Sequence, residues 1–113
     1  MKYSETPLLN PQRRAESLDL GAKLARLRRA RKVRQVDAAA RAGLARSTAV
    51  LIEKGDASRT LGQVLRYLEA IAPGLPLPAL LQEADPSLAA LAQSELTRRV
   101  RAMSAAELSA LDF

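Results

Sequence analysis

Apolar residues return every three or four positions through most of the chain, the spacing of one face of an α-helix. Leu20, Leu24 and Leu27 open the pattern, with Ser17 as an N-cap before them, Asp19 in the first turn, and Arg26 and Arg29 opposite; a first helix is predicted from Ser17 to about Arg31. Val36, Ala39 and Ala40 mark a short second helix over 35–42, ended by Gly43 as a left-handed residue. A third, about 46–54, places Ala45, Ala49 and Ile52 on one side and Arg46, Ser47, Val50, Leu51 and Lys54 on the other, and Gly55 stops it. Thr60 caps a fourth, to about Ala72, with the cleanest stripe in the chain: Leu61, Val64, Leu65, Leu68 and Ile71. Pro73, Gly74, Pro76 and Pro78 form a rigid break, and one or two helical turns follow from Ala79 to Glu83. Asp85 and Pro86 read as N-cap and N1 of a further helix carrying Leu88, Leu91, Leu96, Val100 and Met103, and the capping-box pattern from Ser104 to Glu107 opens a last short helix through Leu111. Residues 1–16, with Pro7, Asn10 and Pro11 and no periodicity, read as an arm; within it Arg13 and Arg14 are candidates for a minor-groove contact, against plain disorder.

Composition narrows this to one compact all-α domain with a short appendage. Of the 113 residues 48% are apolar, yet the aromatics are only Tyr3, Tyr67 and Phe113, so the core is expected to be aliphatic. Without Cys or His there are no disulfides, no thiolate chemistry, no ordinary zinc site and no usual general base. Neither paired carboxylates at useful spacing nor a phosphate-cradling glycine loop is present, so an enzyme is not expected and no cofactor is implied. No segment approaches the roughly 18 unbroken apolar residues of a membrane span. The expectation is a soluble, cytoplasmic protein with no membrane partner.

Charge changes the picture more. The net charge is +6, and Lys23 to Arg46 holds nine basic residues against the single acid Asp37, whereas Thr60 to Glu95 holds only Arg66 against four acids. Such a block fits a polyanionic partner, since neutralising phosphates releases condensed counterions; a solvated arginine-rich surface reads equally well from charge alone. The stretch from Gly43 to Gly55 favours the first reading. Two short helices joined by a tight glycine turn, the second with small residues inward and slim polar ones outward at its start, are what a helix-turn-helix needs to enter a major groove about 12 Å wide.

Leu20 to about Leu81 resembles the Xre-type helix-turn-helix domain of phage repressors, Cro proteins and many bacterial regulators. The resemblance is carried by Leu20, Gly21, Leu24 and Arg28 in the first helix, Gln35 opening the second, Ala39 and Gly43, and the run Ile52, Glu53, Lys54, Gly55. It implies a five-helix bundle of the lambda-repressor type, here followed by a C-terminal helical extension: an arm over 1–17, the DNA-binding domain over 18–84 and the extension over 85–113. It implies that Arg46, Ser47 and Leu51 face base edges with Val50 beside them, that Arg34 and Gln35 meet a phosphate, that Lys54, Ser58 and Arg59 lie near the backbone, and that Arg28 and Glu53 form an internal ion pair. The chain departs from the family pattern at Ala45 and Arg34, where caps are usual, at Lys32, where glycine is frequent, at Ala38, where a larger apolar residue stands, and at Leu51, where a longer polar one is common. Ser47, Thr48 or water is then left to cap the third helix.

The function that follows is a sequence-specific DNA-binding transcriptional regulator, a homodimeric repressor reading double-stranded DNA with helix 46–54. An antitoxin that binds both operator DNA and a toxin is the alternative, since HipB-type antitoxins are similar in size and layout. The C-terminal stripe either packs back on its own domain or pairs with a second copy.

Overall fold

The computed structural model describes residues 4–111, with side chains to residue 102, and contains no strand among them. After a single 3-10 turn at Thr6–Leu8 come α1 (Pro11–Ala30), α2 (Gln35–Ala42), α3 (Arg46–Glu53), α4 (Leu61–Ile71), α5 (Leu77–Leu81) and α6 (Pro86–Leu111). The first five helices enclose one core and the sixth extends from it, an all-α architecture in which α1 packs against α3, α4, α5 and α6, and α2 against α3 and α4.

The first helix begins earlier than its apolar pattern. Asn10 caps it, accepting from the Arg13 N–H at 2.8 Å, and Pro11 occupies the first turn, where its missing N–H costs nothing. Residues Pro11–Glu16 are all exposed, so no stripe reveals them. Ser17 is therefore not a cap: it lies inside α1, where its hydroxyl donates to the Gly55 carbonyl at 2.6 Å. Arg13 and Arg14 belong to the same helical turn; Arg13 pairs with Glu16 at 2.6 Å and Arg14 donates to the Thr6 carbonyl at 3.1 Å, so neither lies on a free arm.

Leu24 and Leu27 of α1, Ala38, Ala39 and Ala42 of α2, Ala49 and Ile52 of α3, Leu68 and Ile71 of α4 and Leu80 of α5 fill the core. Its largest fully buried side chain is Tyr67, which corrects the expectation of a purely aliphatic interior. Three alanines on α2 let that helix sit close to both α3 and α4. Two glycines let α1 approach the end of α3 closely: a Cβ on Gly21 would lie 2.5 Å from the Gly55 nitrogen, and one on Gly55, at φ +76°, would lie 2.5 Å from Leu18 Cα.

Thr60 opens α4 with a full capping box, its hydroxyl accepting from the Gln63 N–H at 3.1 Å while Gln63 Oε1 accepts from the Thr60 N–H at 3.0 Å. The next helix is α5 over Leu77–Leu81 rather than 79–83, because Pro78 is tolerated in a first turn and Glu83 is already left-handed at φ 50°. Asp85 caps α6 through the Ser87 N–H at 3.3 Å, and also receives the Ser87 hydroxyl. No break follows at Ser104; α6 is continuous from Pro86 to Leu111. The C-terminal stripe divides: Leu88 is buried and Leu91 half-buried, while Leu96 and Val100 are 52% and 53% exposed. Met103 lies outside the described side chains.

Candidate nucleic-acid interface

The turn between α2 and α3 is set by Gly43 at φ 68°, with its N–H on the Ala40 carbonyl at 3.1 Å and the Leu44 N–H on the Ala39 carbonyl at 2.9 Å, the Schellman pattern. Only Leu44 and Ala45 then separate the turn from α3. Ala49 and Ile52 face inward and are buried, which fixes the rotation of the helix. Arg46 and Ser47, in the first turn, are exposed; Val50 and Leu51 are half-buried beside them; Lys54 is exposed at the C-cap. No ion pair is seen for Arg46 or Lys54 among the described residues.

Neither helix of this unit carries a side-chain cap. Arg34 before α2 and Ala45 before α3 supply no capping hydrogen bond, in contrast to Asn10 of α1 and Thr60 of α4. The N–H groups of Gln35 and Val36 and of Arg46 and Ser47 thus keep their capacity for an outside acceptor, reinforced by the positive end of the helix dipole, while those of Asp37 and Thr48 donate to the Arg34 and Ala45 carbonyls. Arg34 is 79% exposed in its side chain and leans on Asp37 at 2.9 Å, which holds its guanidinium pKa above the ordinary value; Gln35 is half-buried at the first position of α2.

Ser58 and Arg59 sit differently. Both are half-buried in the loop after α3 and turn toward the N-terminal segment: the Ser58 hydroxyl accepts from the Glu5 N–H at 2.9 Å, and Arg59 lines a hollow beside Leu9 and Arg13.

Behind the unit, Arg28 and Glu53 form a bidentate ion pair, Nε to Oε2 at 2.6 Å and Nη2 to Oε1 at 3.0 Å, while Nη1 of Arg28 donates to the Val33 carbonyl at 3.0 Å. The two side chains are 15% and 9% exposed. Tyr67 completes the group by donating its hydroxyl to Glu53, a third member that the sequence pattern alone did not disclose. Burial first, and then this bond to the carboxylate, push the Tyr67 hydroxyl pKa well above its usual value; the Glu53 hydrogen bond raises that of Arg28. The group links α1, the end of α3 and α4, so it holds α3 in place from within.

The basic block resolves into two sets. Lys23 pairs with Asp19 at 2.9 Å and donates to the Leu81 carbonyl at 2.8 Å, Arg26 pairs with Glu83 at 3.3 Å, and Arg31 pairs with Asp85 at 2.5 Å. With Arg28 and Arg34, five of the nine cations are engaged inside the molecule, and those on one side of α1 bind the segment joining α5 to α6. Arg31 first, then Ser87, hold the Asp85 carboxyl below its usual pKa. Arg29, Lys32, Arg41 and Arg46 are the remainder.

The profile of the helix-turn-helix domain matches residues 19–77, which is 59 of the 113 residues and spans α2, the Gly43 turn and α3. The chain belongs to the helix-turn-helix domain family. Curated proteins and solved structures give no match. Within this helix-turn-helix protein the matched span also takes in Gly21, the Arg28–Glu53–Tyr67 group and the whole of α4, so the family and the internal supports of α3 coincide. Membership makes DNA the partner to which this unit is suited. Among the described residues no helix is long and apolar enough to cross a membrane.

Proposed function

We propose that the protein is a sequence-specific, DNA-binding transcriptional regulator of the Xre type, a homodimeric cytoplasmic repressor without catalytic activity, which lays α3 in the major groove. The observation that carries this is the outer side of α3: a slim first turn of exposed Arg46 and Ser47, then half-buried Val50 and Leu51, on a helix whose other side is clamped by Ala49 and Ile52. Arg46 is suited to bidentate bonding with guanine O6 and N7, Ser47 to several bases, and Val50 or Leu51 to a thymine methyl. The uncapped N-terminus of α2, with Gln35 and Arg34, is suited to a phosphate, and Lys54, Ser58 and Arg59 to the neighbouring backbone.

A dimer is proposed because one recognition helix covers too few base pairs, and half-sites one helical turn apart are the usual answer. The exposed Leu96 and Val100 on α6 supply a surface for it. The same surface supports the antitoxin reading, with a toxin in place of the second copy; co-purification with a larger partner encoded beside it separates the two. Selection of bound sequences from random duplex DNA tests the proposal as a whole. A palindromic motif with half-sites about one turn apart is expected, and recovery of no preferred sequence overturns it.

A further inference from the structure

Between the first half of α1, the turn after α3 and the start of α4 lies a hollow of about 430 Å3, within the roughly 300–1,000 Å3 of small-molecule sites. Its floor is apolar, with Leu20, Leu61 and Val64 accessible and the buried Leu24 and Ile52 beneath them. Four charged residues stand at its walls, and they are not equivalent. Arg13 and Glu16 satisfy one another at 2.6 Å. Asp56 accepts from the Ser58 N–H at 2.7 Å. Arg59 has no carboxylate within ion-pair distance among the described residues, and its Nε is shut off from solvent without any hydrogen-bond partner.

An N–H of a cation removed from water and left unpaired is the kind of group a ligand acceptor relieves. The four charges sum to zero, but the Arg59 guanidinium is the one among them that makes neither an ion pair nor a hydrogen bond among the described residues, and the hollow beside it is hydrocarbon. We propose that this hollow is a binding site for an amphipathic monocarboxylate, with an aliphatic body on Leu20, Leu61 and Val64 and a carboxylate on Arg59. Because the same loop carries Ser58 and Arg59, a bound carboxylate takes from DNA a contact assigned to it above; this regulatory consequence, unlike the site, rests on the DNA-binding reading.

The test is calorimetric titration of the full chain with decanoate, below its micelle-forming concentration, against decanol and decylammonium. One saturable site for decanoate is expected, at least tenfold weaker for the alcohol and the amine. Arg59→Gln should weaken decanoate at least tenfold without affecting decanol, and Ala57→Phe, which fills the hollow, should weaken both; thermal melts establish that each variant is folded, and Arg59→Lys, keeping the charge, should recover part of the decanoate affinity. Equal affinity for decanoate and decanol, an unchanged Arg59→Gln, or no binding overturns the site. An affinity that falls as protein concentration rises shows a second copy in the hollow and overturns it too. Saturating decanoate should also lower affinity for a random-sequence duplex at low salt, and no change overturns the regulatory consequence. The calorimetry contains no DNA, so a protein that binds decanoate and no duplex loses the proposed function and keeps the site.

Discussion

Glu53 accepts from Arg28 on both oxygens and from Tyr67, so three side chains from α1, α3 and α4 share one carboxylate in a nearly dry place. Such a pair contributes little net stability when whole, because desolvation offsets attraction, yet removing one partner strands the other charge. Glu53→Ala is therefore expected to lower unfolding free energy by about 3–5 kcal/mol, measured by urea denaturation; a change under about 1 kcal/mol, the value for exposed pairs, would contradict the burial seen here. Lys32 is a residue-scale fault of the opposite sign. It holds φ 59° in the turn after α1, a conformation that costs a side-chain-bearing residue about 1–2 kcal/mol. Lys32→Gly relieves that strain but frees the unfolded chain by about 0.4–1 kcal/mol, so a net gain of up to about 1 kcal/mol is expected, read as a higher denaturation midpoint with unchanged slope. A lower midpoint would mean that the Lys32 side chain makes a contact worth more than the strain.

At the scale of elements, what was legible in the sequence is what local chemistry dictates. Gly43 and Gly55 at left-handed positions, the Thr60 and Gln63 box and the alternation along α3 are short-range signals, and the structure places helix ends within a residue or so of them. The start of α1 was hidden because its first turns bury nothing, and periodicity reports only buried faces; the Asn10–Pro11 cap signal was present but had no apolar stripe behind it. The capping box at Ser104 misled for the converse reason, since a pattern that can start a helix does not stop one already running. Least legible were the long-range partners: Arg31 and Asp85 are 54 positions apart, and nothing in either neighbourhood names the other. For α3, rotation fixed by Ala49 and Ile52 leaves Arg46 as the long side chain exposed in its first turn. Arg46→Ala is expected to cost about 1–3 kcal/mol in specific binding and to relax one base position in the selected motif. Unchanged affinity and motif would reduce Arg46 to a surface charge.

The whole molecule assigns its charge to two tasks, and this gives a test that neither smaller scale offers. If Lys23, Arg26 and Arg31 serve to hold the α5–α6 segment on α1, they neutralise few phosphates. The salt dependence of DNA binding should then fall by about one unit of log–log slope per subunit in Lys54→Ala and hardly at all in Arg31→Ala, whose effect appears in thermal stability instead. Equal slope losses in the two variants would restore the block as a single DNA-facing surface. The same division sets where α6 stops belonging to its own domain. Asp85 and Leu88 are buried against it, Leu91 is half-buried, and from Leu96 onward the described apolar residues face solvent. A helix of 26 residues is about 39 Å long at 1.5 Å per residue, and the molecule measures 62 Å along its longest axis, so α6 reaches well past the bundle. Ending the chain after Gln93 keeps the Arg31–Asp85 pair, the α6 cap and Leu88 while deleting the exposed face. If the proposed dimer buries that face in a second copy, at roughly 25 cal/mol per Å2 of apolar area, association requires Leu96 and Val100. The truncated chain is therefore expected to keep its helicity and cooperative melt, to sediment as a monomer, and to bind a half-site weakly where the full chain binds a palindrome. A truncated chain that still sediments as a dimer would place the interface on the bundle, and one that loses its cooperative melt would show that residues beyond Gln93 hold the fold rather than a partner.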